Sequence, residues 1–209
     1  VAVTIDELRV WEKPEAWSAC GFTADGDCCV VGSTRIRLVE GEGRRGIESW
    51  ALRGLDSSDL DGLPTIRGDR APPDEAPAHP NGVTGLDHVV AISSDLDRTV
   101  TALTAAGLDL RRVREEPTPA GAPRQAFFRL GGVILEVVQE PPEATERSGG
   151  DRPAFFWGLA FVTPDLEQTV AFLGDRVSDV RDAVQPGRRI ATVRRSAGLS
   201  VPIALMTPP

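Results

Sequence analysis

Tyrosine is absent from the 209 residues, and histidine occurs only twice, at His79 and His88. Phenolic acid–base chemistry is therefore excluded, and any imidazole chemistry must run through one of two positions. Lys13 is the only lysine among 23 basic residues, a codon bias expected of a GC-rich genome. It falls at an exposed helix start, which leaves Schiff-base chemistry without a candidate. The three cysteines, Cys20, Cys28 and Cys29, form no CxxC pair. A disulfide scaffold and a zinc knuckle are poor readings, and buried free thiols in a reducing cytoplasm are the better one. No apolar run approaches a membrane span, and no signal-peptide pattern opens the chain. A cytoplasmic protein without a membrane partner is expected. With 31 acidic residues the net charge is -8, which argues against nucleic acid as a partner, because its binders need a basic face.

Several familiar motifs are also missing. No GxSxG elbow accompanies His88, so no Ser-His-Asp set is credible. The GEGRRG run at 41–46 matches GxGxxG, but IESWALRG after it reads as a strand, and a phosphate would lack the helix N-terminus it needs. Asp56, Asp59 and Asp61 do not have the glycine and glutamate of a calcium loop at the required places, and SSDLDGL reads instead as a helix start. His79 stands among prolines and is given no role.

What is present is a repeat. Residues 71–84, APPDEAPAHPNGVT, read as a Pro-rich linker between 1–70 and 85–209. Beyond it, GLDHVVAISSDLD and FFWGLAFVTPDLE start about seventy residues apart. Each is a short apolar strand, a turn and an acidic helix start, for which Ser94 and either Thr163 or Asp165 are candidate N-caps. TVTALTAAGLDL and TVAFLGDRVSDV follow as helices, and then two strands in each copy. The expected strands lie near 86–92, 124–130, 133–139, 155–162, 189–195 and 200–206, with helices over 95–106 and 165–173. A shorter copy precedes the linker: PEAWSACGF parallels VTALTAAGL, CCVVGSTRIRLVE parallels FFRLGGVILEVVQ, and IESWALRG parallels the strand of Trp157. The chain thus divides into a degenerate N-terminal module (1–70), the linker (71–84) and two complete modules (85–142 and 153–209).

GLDHVV, SDLDRTV, AAGL and RQAFFRLGGVILEVVQ together resemble the vicinal-oxygen-chelate superfamily, the glyoxalase, bleomycin-resistance and extradiol-dioxygenase type. The resemblance covers 85–209 well and 1–70 loosely. It implies an α+β fold of paired βαβββ modules, whose cupped mixed sheet carries helices on its outer face. It also implies one metal ligand from the first strand and one from the last strand of each module. In 85–142 these are His88 and Glu136; in the second module the matching residues are Gly158 and Ala204, which offer no donor. In the N-terminal copy Arg37 matches Glu136, and Ala51 matches His88. Two readings stay open. In one, His88 and Glu136 weakly hold a divalent ion (zinc, nickel, manganese or iron) and act in catalysis. In the other they are a relic pair inside an organic-ligand cup. Pairing of the module with its twin in a homodimer would restore four ligands; a monomer is simpler.

Alternation along the strands fills in the cup. A two-residue turn at Gly131-Gly132 sets Phe127 across from Glu136 and places Gln125, Phe127 and Arg129 on the same face. Phe156, Gly158 and Met206 line it from the second module. Such a pocket suits a small carbonyl or carboxylate compound, with Arg129 as an anion clamp or paired to Glu136. The functional expectation is a metal-dependent lyase, isomerase or dioxygenase, or else a metal-free binding or drug-sequestering protein.

Overall fold

A computed structural model describes residues 2–118 and 121–209. Among the described residues the chain runs β1 (Thr4–Trp11), α1 (Pro14–Ala19), β2 (Cys28–Val31), β3 (Thr34–Val39), β4 (Ile47–Arg53) and β5 (Thr65–Arg67). Next come β6 (Gly85–Ser93), α2 (Leu96–Ala105), β7 (Asp109–Arg114), β8 (Gln125–Leu130), β9 (Val133–Gln139) and α3 (Pro142–Arg147). The last elements are β10 (Phe155–Val162), α4 (Leu166–Leu173), β11 (Arg181–Asp182), β12 (Arg189–Thr192) and β13 (Ile203–Met206). They form a five-stranded sheet, β2-β3-β1-β4-β5, and an eight-stranded sheet, β11-β12-β13-β10-β6-β9-β8-β7.

The larger sheet consists of the two expected βαβββ modules. In each, the first strand lies parallel to the last, β6 beside β9 and β10 beside β13, and the modules join through the antiparallel pair β6–β10. The β8–β9 hairpin turns at Gly131-Gly132, where Leu130 faces Val133 and Gly131 adopts φ 68°, which an L side chain resists. The caps of α2 and α4 are Asp95 and Asp165, each accepting a backbone N–H three residues on. Ser94, a candidate cap from sequence, instead turns its hydroxyl toward Asp151, 2.6 Å away.

The strands β1, β5, β7 and β11 and the short helix α3 escaped the sequence reading, because none of them carries a clear apolar periodicity. Residues 57–63, read as a helix start, form bends and a turn, with Asp61 at φ 52°. Leu55, Leu60 and Leu63 from this region are buried, and the Arg98 guanidinium holds Asp61 at 2.7 Å, so the loop is pinned over α2. The 41–46 segment is a loop between β3 and β4, as expected, with Arg44 stacked 4.8 Å from the Trp11 ring centre.

Residues before the linker build their own sheet and do not extend the cup. The inner faces of both sheets share one hydrophobic core. Trp17 of α1 lies 6.3 Å from Phe161 of β10, and Phe22 lies 5.2 Å from it, in tilted or edge-on geometries that aromatic rings favour. The 71–84 stretch has no helix or strand, and its second half is fastened down. His79 accepts the Thr23 N–H at Nδ1 (3.0 Å), so its Nε2–H donates to the Val30 carbonyl (3.1 Å). Asn81 donates to Cys20 O at 3.0 Å. Burial lowers the His79 pKa, partly offset by the Val30 bond. Among the described residues, no helix is long and apolar enough to cross a membrane.

Candidate functional site

The faces of the eight-stranded sheet differ in chemistry. On the helix side Val89, Ala91, Ala126, Phe128, Leu135 and Val137 are fully buried. On the other side the strand register sets Arg112, Phe127 and Glu136 in one row and Arg114, Gln125 and Val138 in the next. His88 lies one row away, opposite Ile134. The loop before β12 closes the far wall. Together they enclose a cavity of about 370 Å³, lined by His88, Arg112, Arg114, Gln125, Phe127 and Glu136 and faced by residues 183–186, Ile190 and Met206.

His88 is oriented through its rear nitrogen. Nδ1 lies 2.8 Å from Asp87 Oδ2, and Asp87 is held in turn by the Arg188 fork at 2.6 and 3.2 Å. Burial pushes the Asp87 carboxyl up, but hydrogen bonds from His88 and Arg188 outweigh it and hold it below the usual carboxylate range. An ionised Asp87 only accepts, so Nδ1 carries the proton, and Nε2 points at Glu136 Oε2, 3.5 Å away. Gln125 donates its amide N–H to Glu136 Oε1. Its own Oε1 is buried without a partner. Burial pushes the Glu136 pKa up, and His88 and Gln125 only partly oppose it.

The sequence-predicted residues divide clearly. His88, Gln125, Phe127, Glu136 and Met206 share the cavity. Arg129 lines an adjoining cavity of about 200 Å³ with Asp87, Ile134 and Arg188. Among the described residues it forms no ion pair with Glu136, which His88 and Gln125 face instead. Phe156 lies on the opposite face of the sheet. Register shifts between Phe156 and Gly158, so a bulge at Trp157 puts Phe156 beside Ala91, on the core side. There its ring meets Trp50 edge-on at 5.0 Å. Gly158 keeps the cup face, opposite Val90, but a Cβ there would lie 2.7 Å from Pro202 O, so no side chain fits. Sequence reasoning missed Asp87, Arg188, Arg112, Arg114 and the loop wall. Arg112 and Arg114 have the two-residue spacing of one strand face, a signal obscured because their segment, between the expected helix and the strand near 124–130, is too polar to read as a strand.

The register also tests the ligand positions. Glu136 lies opposite Val90, and Ala204 lies opposite Ala160, the repeat equivalent of Val90. Ala204 therefore takes the Glu136 position. In the N-terminal sheet Arg37 lies opposite Arg9, which makes Glu7 the counterpart of His88 and Ser49 that of Gly158, correcting the match to Ala51. These positions carry a charged network. Buried Glu7 accepts from Arg70 (2.8 Å) and Arg37 (3.4 Å), and buried Asp6 from Arg35 (3.2 Å).

A divalent ion was the cofactor implied by the sequence. His88 Nε2 and Glu136 Oε2 lie within the bite of two donors on one ion, and Asp87 is the carboxylate that often steadies a ligating histidine. Among the described residues, however, no set of three His, Cys, Asp or Glu side chains could hold a metal. Catalytic sites ordinarily use three protein ligands. The side chains fit half of such a site and do not fit a resident catalytic ion.

Residues 85–196 match the family profile of the Glyoxalase/Bleomycin resistance protein/Dioxygenase superfamily. No curated protein sequence matches the chain. Among solved structures, methylmalonyl-CoA epimerase from Mycobacterium tuberculosis is similar at 22% identity and TM-score 0.50, over 61% of this chain and 90% of that one. A xylose isomerase-like TIM barrel/4-hydroxyphenylpyruvate dioxygenase fusion protein is similar over 98% of this chain, at 12% identity and TM-score 0.63. This chain covers 49% of the fusion protein's length. At these identities the likeness is one of fold.

Proposed function

Since the chain belongs to the Glyoxalase/Bleomycin resistance protein/Dioxygenase superfamily, a fold that hosts many chemistries on one cup, we propose that it binds a small organic anion in this cup without a resident metal ion. The observation that carries this reading is the pairing of a half-dismantled ligand set with two uncommitted guanidiniums. Arg112 takes part in no ion pair among the described residues, and the nearest acid to Arg114 is the exposed Glu116 at 3.9 Å. Both arginines line the cavity, whose apolar walls include Phe127, Val184, Pro186, Ile190 and Met206 and whose polar ones include His88, Gln125 and Glu136. An apolar pocket with a few convergent charges suits a carboxylate on a compact carbon skeleton. Binding and sequestration need nothing further from the site.

The test combines native mass spectrometry with metal analysis of freshly purified protein. A small acid retained by the native chain, lost in Arg112→Ala/Arg114→Ala, with metal well below one equivalent, is the expected result. The enzyme reading, a divalent-ion-dependent lyase, isomerase or dioxygenase, has one observation in its favour, the Asp87 buttress behind His88. Stoichiometric metal that disappears in both His88→Ala and Glu136→Ala would establish it and displace the metal-free one.

A further inference from the structure

The bulge that turns Phe156 into the core leaves its neighbour outside. Trp157 is 50% exposed, whereas Trp50, on the strand that parallels it in the sequence repeat, is fully buried. Among the described residues no other ring and no guanidinium stacks on the Trp157 indole. It forms one wall of a groove of about 560 Å³, where the 41–46 loop meets the segment between β12 and β13. Val193 and Pro202 stand beside it, and Arg45, Arg194 and Arg195 surround it. No acidic side chain lines the groove, although the chain carries a net charge of -8. Among the described residues none of the three arginines enters an ion pair; Arg194 is tethered only through Nε, which donates to Val177 O at 2.7 Å. One exposed indole is ordinary on a protein surface. An indole beside three guanidiniums without a counter-charge is a surface that lacks an anion.

The groove is preformed on its backbone. Ser200 Oγ accepts the Gly46 N–H at 3.2 Å and donates to Trp11 O, which fixes the 41–46 loop against the segment before β13. Pro202 O accepts the Leu159 N–H at 3.0 Å and holds that segment to β10. A single carboxylate gains little from exposed guanidiniums, because water screens each pair. A phosphoryl chain brings several negative charges and oxygens spaced for the guanidinium fork. A bicyclic base presents a flat face of the indole's own size, and such stacking is a strong contribution even in an open groove. We infer that this groove is a second ligand site that takes a purine nucleoside diphosphate, with the base on Trp157 and the phosphates on Arg45, Arg194 and Arg195. It shares no lining residue with the cup and does not depend on what the cup binds. Arg45 belongs to the GEGRRG run, and it reaches the phosphate through its side chain, which needs no helix N-terminus.

Calorimetry on the full chain separates the parts. ADP and GDP are titrated beside adenosine and guanosine, which lack the phosphates, and inorganic pyrophosphate, which lacks the base. At least one diphosphate should bind, with its nucleoside and pyrophosphate each about tenfold or more weaker. Trp157→Ala should weaken that nucleotide about tenfold and leave pyrophosphate unchanged, with an unaltered melting temperature reporting that the variant is folded. Arg45→Ala/Arg195→Ala should weaken nucleotide and pyrophosphate alike, and Arg112→Ala/Arg114→Ala in the cup should alter neither. Failure of both diphosphates overturns the inference. So does nucleotide affinity that ignores Trp157→Ala or falls with the cup variant instead. Pyrophosphate bound as tightly as the nucleotide would reduce the groove to an anion patch, and a single-stranded hexanucleotide bound more tightly than either diphosphate would make it a nucleic-acid surface; each of these results also overturns it.

Discussion

The carbonyl oxygen of Pro202 stands 2.7 Å from the point that a Cβ on Gly158 would occupy, and the same oxygen accepts the Leu159 N–H at 3.0 Å. The position that would complete a metal site is therefore filled by backbone in a sheet hydrogen bond. Gly158→His should not restore metal binding. It should destabilise the fold by about 1–3 kcal/mol through overpacking, read by denaturant titration, with zinc affinity unchanged. A gain in zinc affinity would show that β13 can move aside.

Asp87 joins the two modules by holding His88 from one and Arg188 from the other. Its folded pKa lies below the unfolded value, so its contribution is present above about pH 4 and is lost as pH falls through the folded value. Asp87→Asn should remove that part of the acid-unfolding profile. At neutral pH it leaves the buried Arg188 without its carboxylate, at a cost of about 3–5 kcal/mol. Urea unfolding at pH 7 and pH 3 measures both terms, and an unchanged pH dependence would contradict the assignment.

Glu136 has the opposite sign. Burial raises its folded pKa, so the native state holds the proton longer and stability declines as pH rises from the unfolded value through the folded one. Glu136→Gln is isosteric and always neutral. It should melt a few degrees higher than the parent at pH 8 and about equally at pH 4. Greater stability without the carboxylate is the mark of a group kept at a cost to the fold.

His79 is held neutral by a donor on one ring nitrogen and an acceptor on the other. Its folded pKa is depressed, so stability is full above about pH 6.5 and falls as pH drops below it, where the unfolded chain takes the proton first. His79→Ala should lose that slope along with two hydrogen bonds worth about 1–3 kcal/mol in total. Thermal melts between pH 5 and pH 8 distinguish this from a surface histidine, whose removal would leave the slope intact.

A fragment beginning at Gly85, the proposed boundary, should be poorly soluble, because it would expose Phe161 and Phe156 where Trp17, Phe22 and Trp50 now cover them. Within the full chain, Trp50→Ala should cost about 3–5 kcal/mol. A soluble fragment with the parent's melting temperature would show that the two sheets are energetically independent.

What could be read in advance depended on local chemistry. RQAFFRLGGVILEVVQ combines turn glycines with alternating apolar residues, so its hairpin and the side facing of Gln125, Phe127 and Glu136 were visible. The FFWGLAFV strand is apolar throughout, and nothing in it marks the bulge at Trp157 that turns Phe156 away. TIDELRVW and DLRRVR carry charges where strand patterns call for apolar residues, because one face of each meets arginines, acids or the cup instead of the core. The Asp87–Arg188 pair spans 101 positions, and no local pattern announces it.

The charged network on the five-stranded sheet has a consequence for counting. Two sheets with the same strand logic suggest two receptacles, yet among the described residues the acids at the matching positions of the five-stranded sheet are already paired. There Asp6 and Glu7 have their counter-ions in Arg35, Arg37 and Arg70, all supplied by the chain itself. A guest there would have to displace internal partners at no gain in pairing. The duplication therefore gives a molecule whose isotherm for the cup's ligand should saturate at a single equivalent, with the spare half acting as a permanently self-occupied support for the working one.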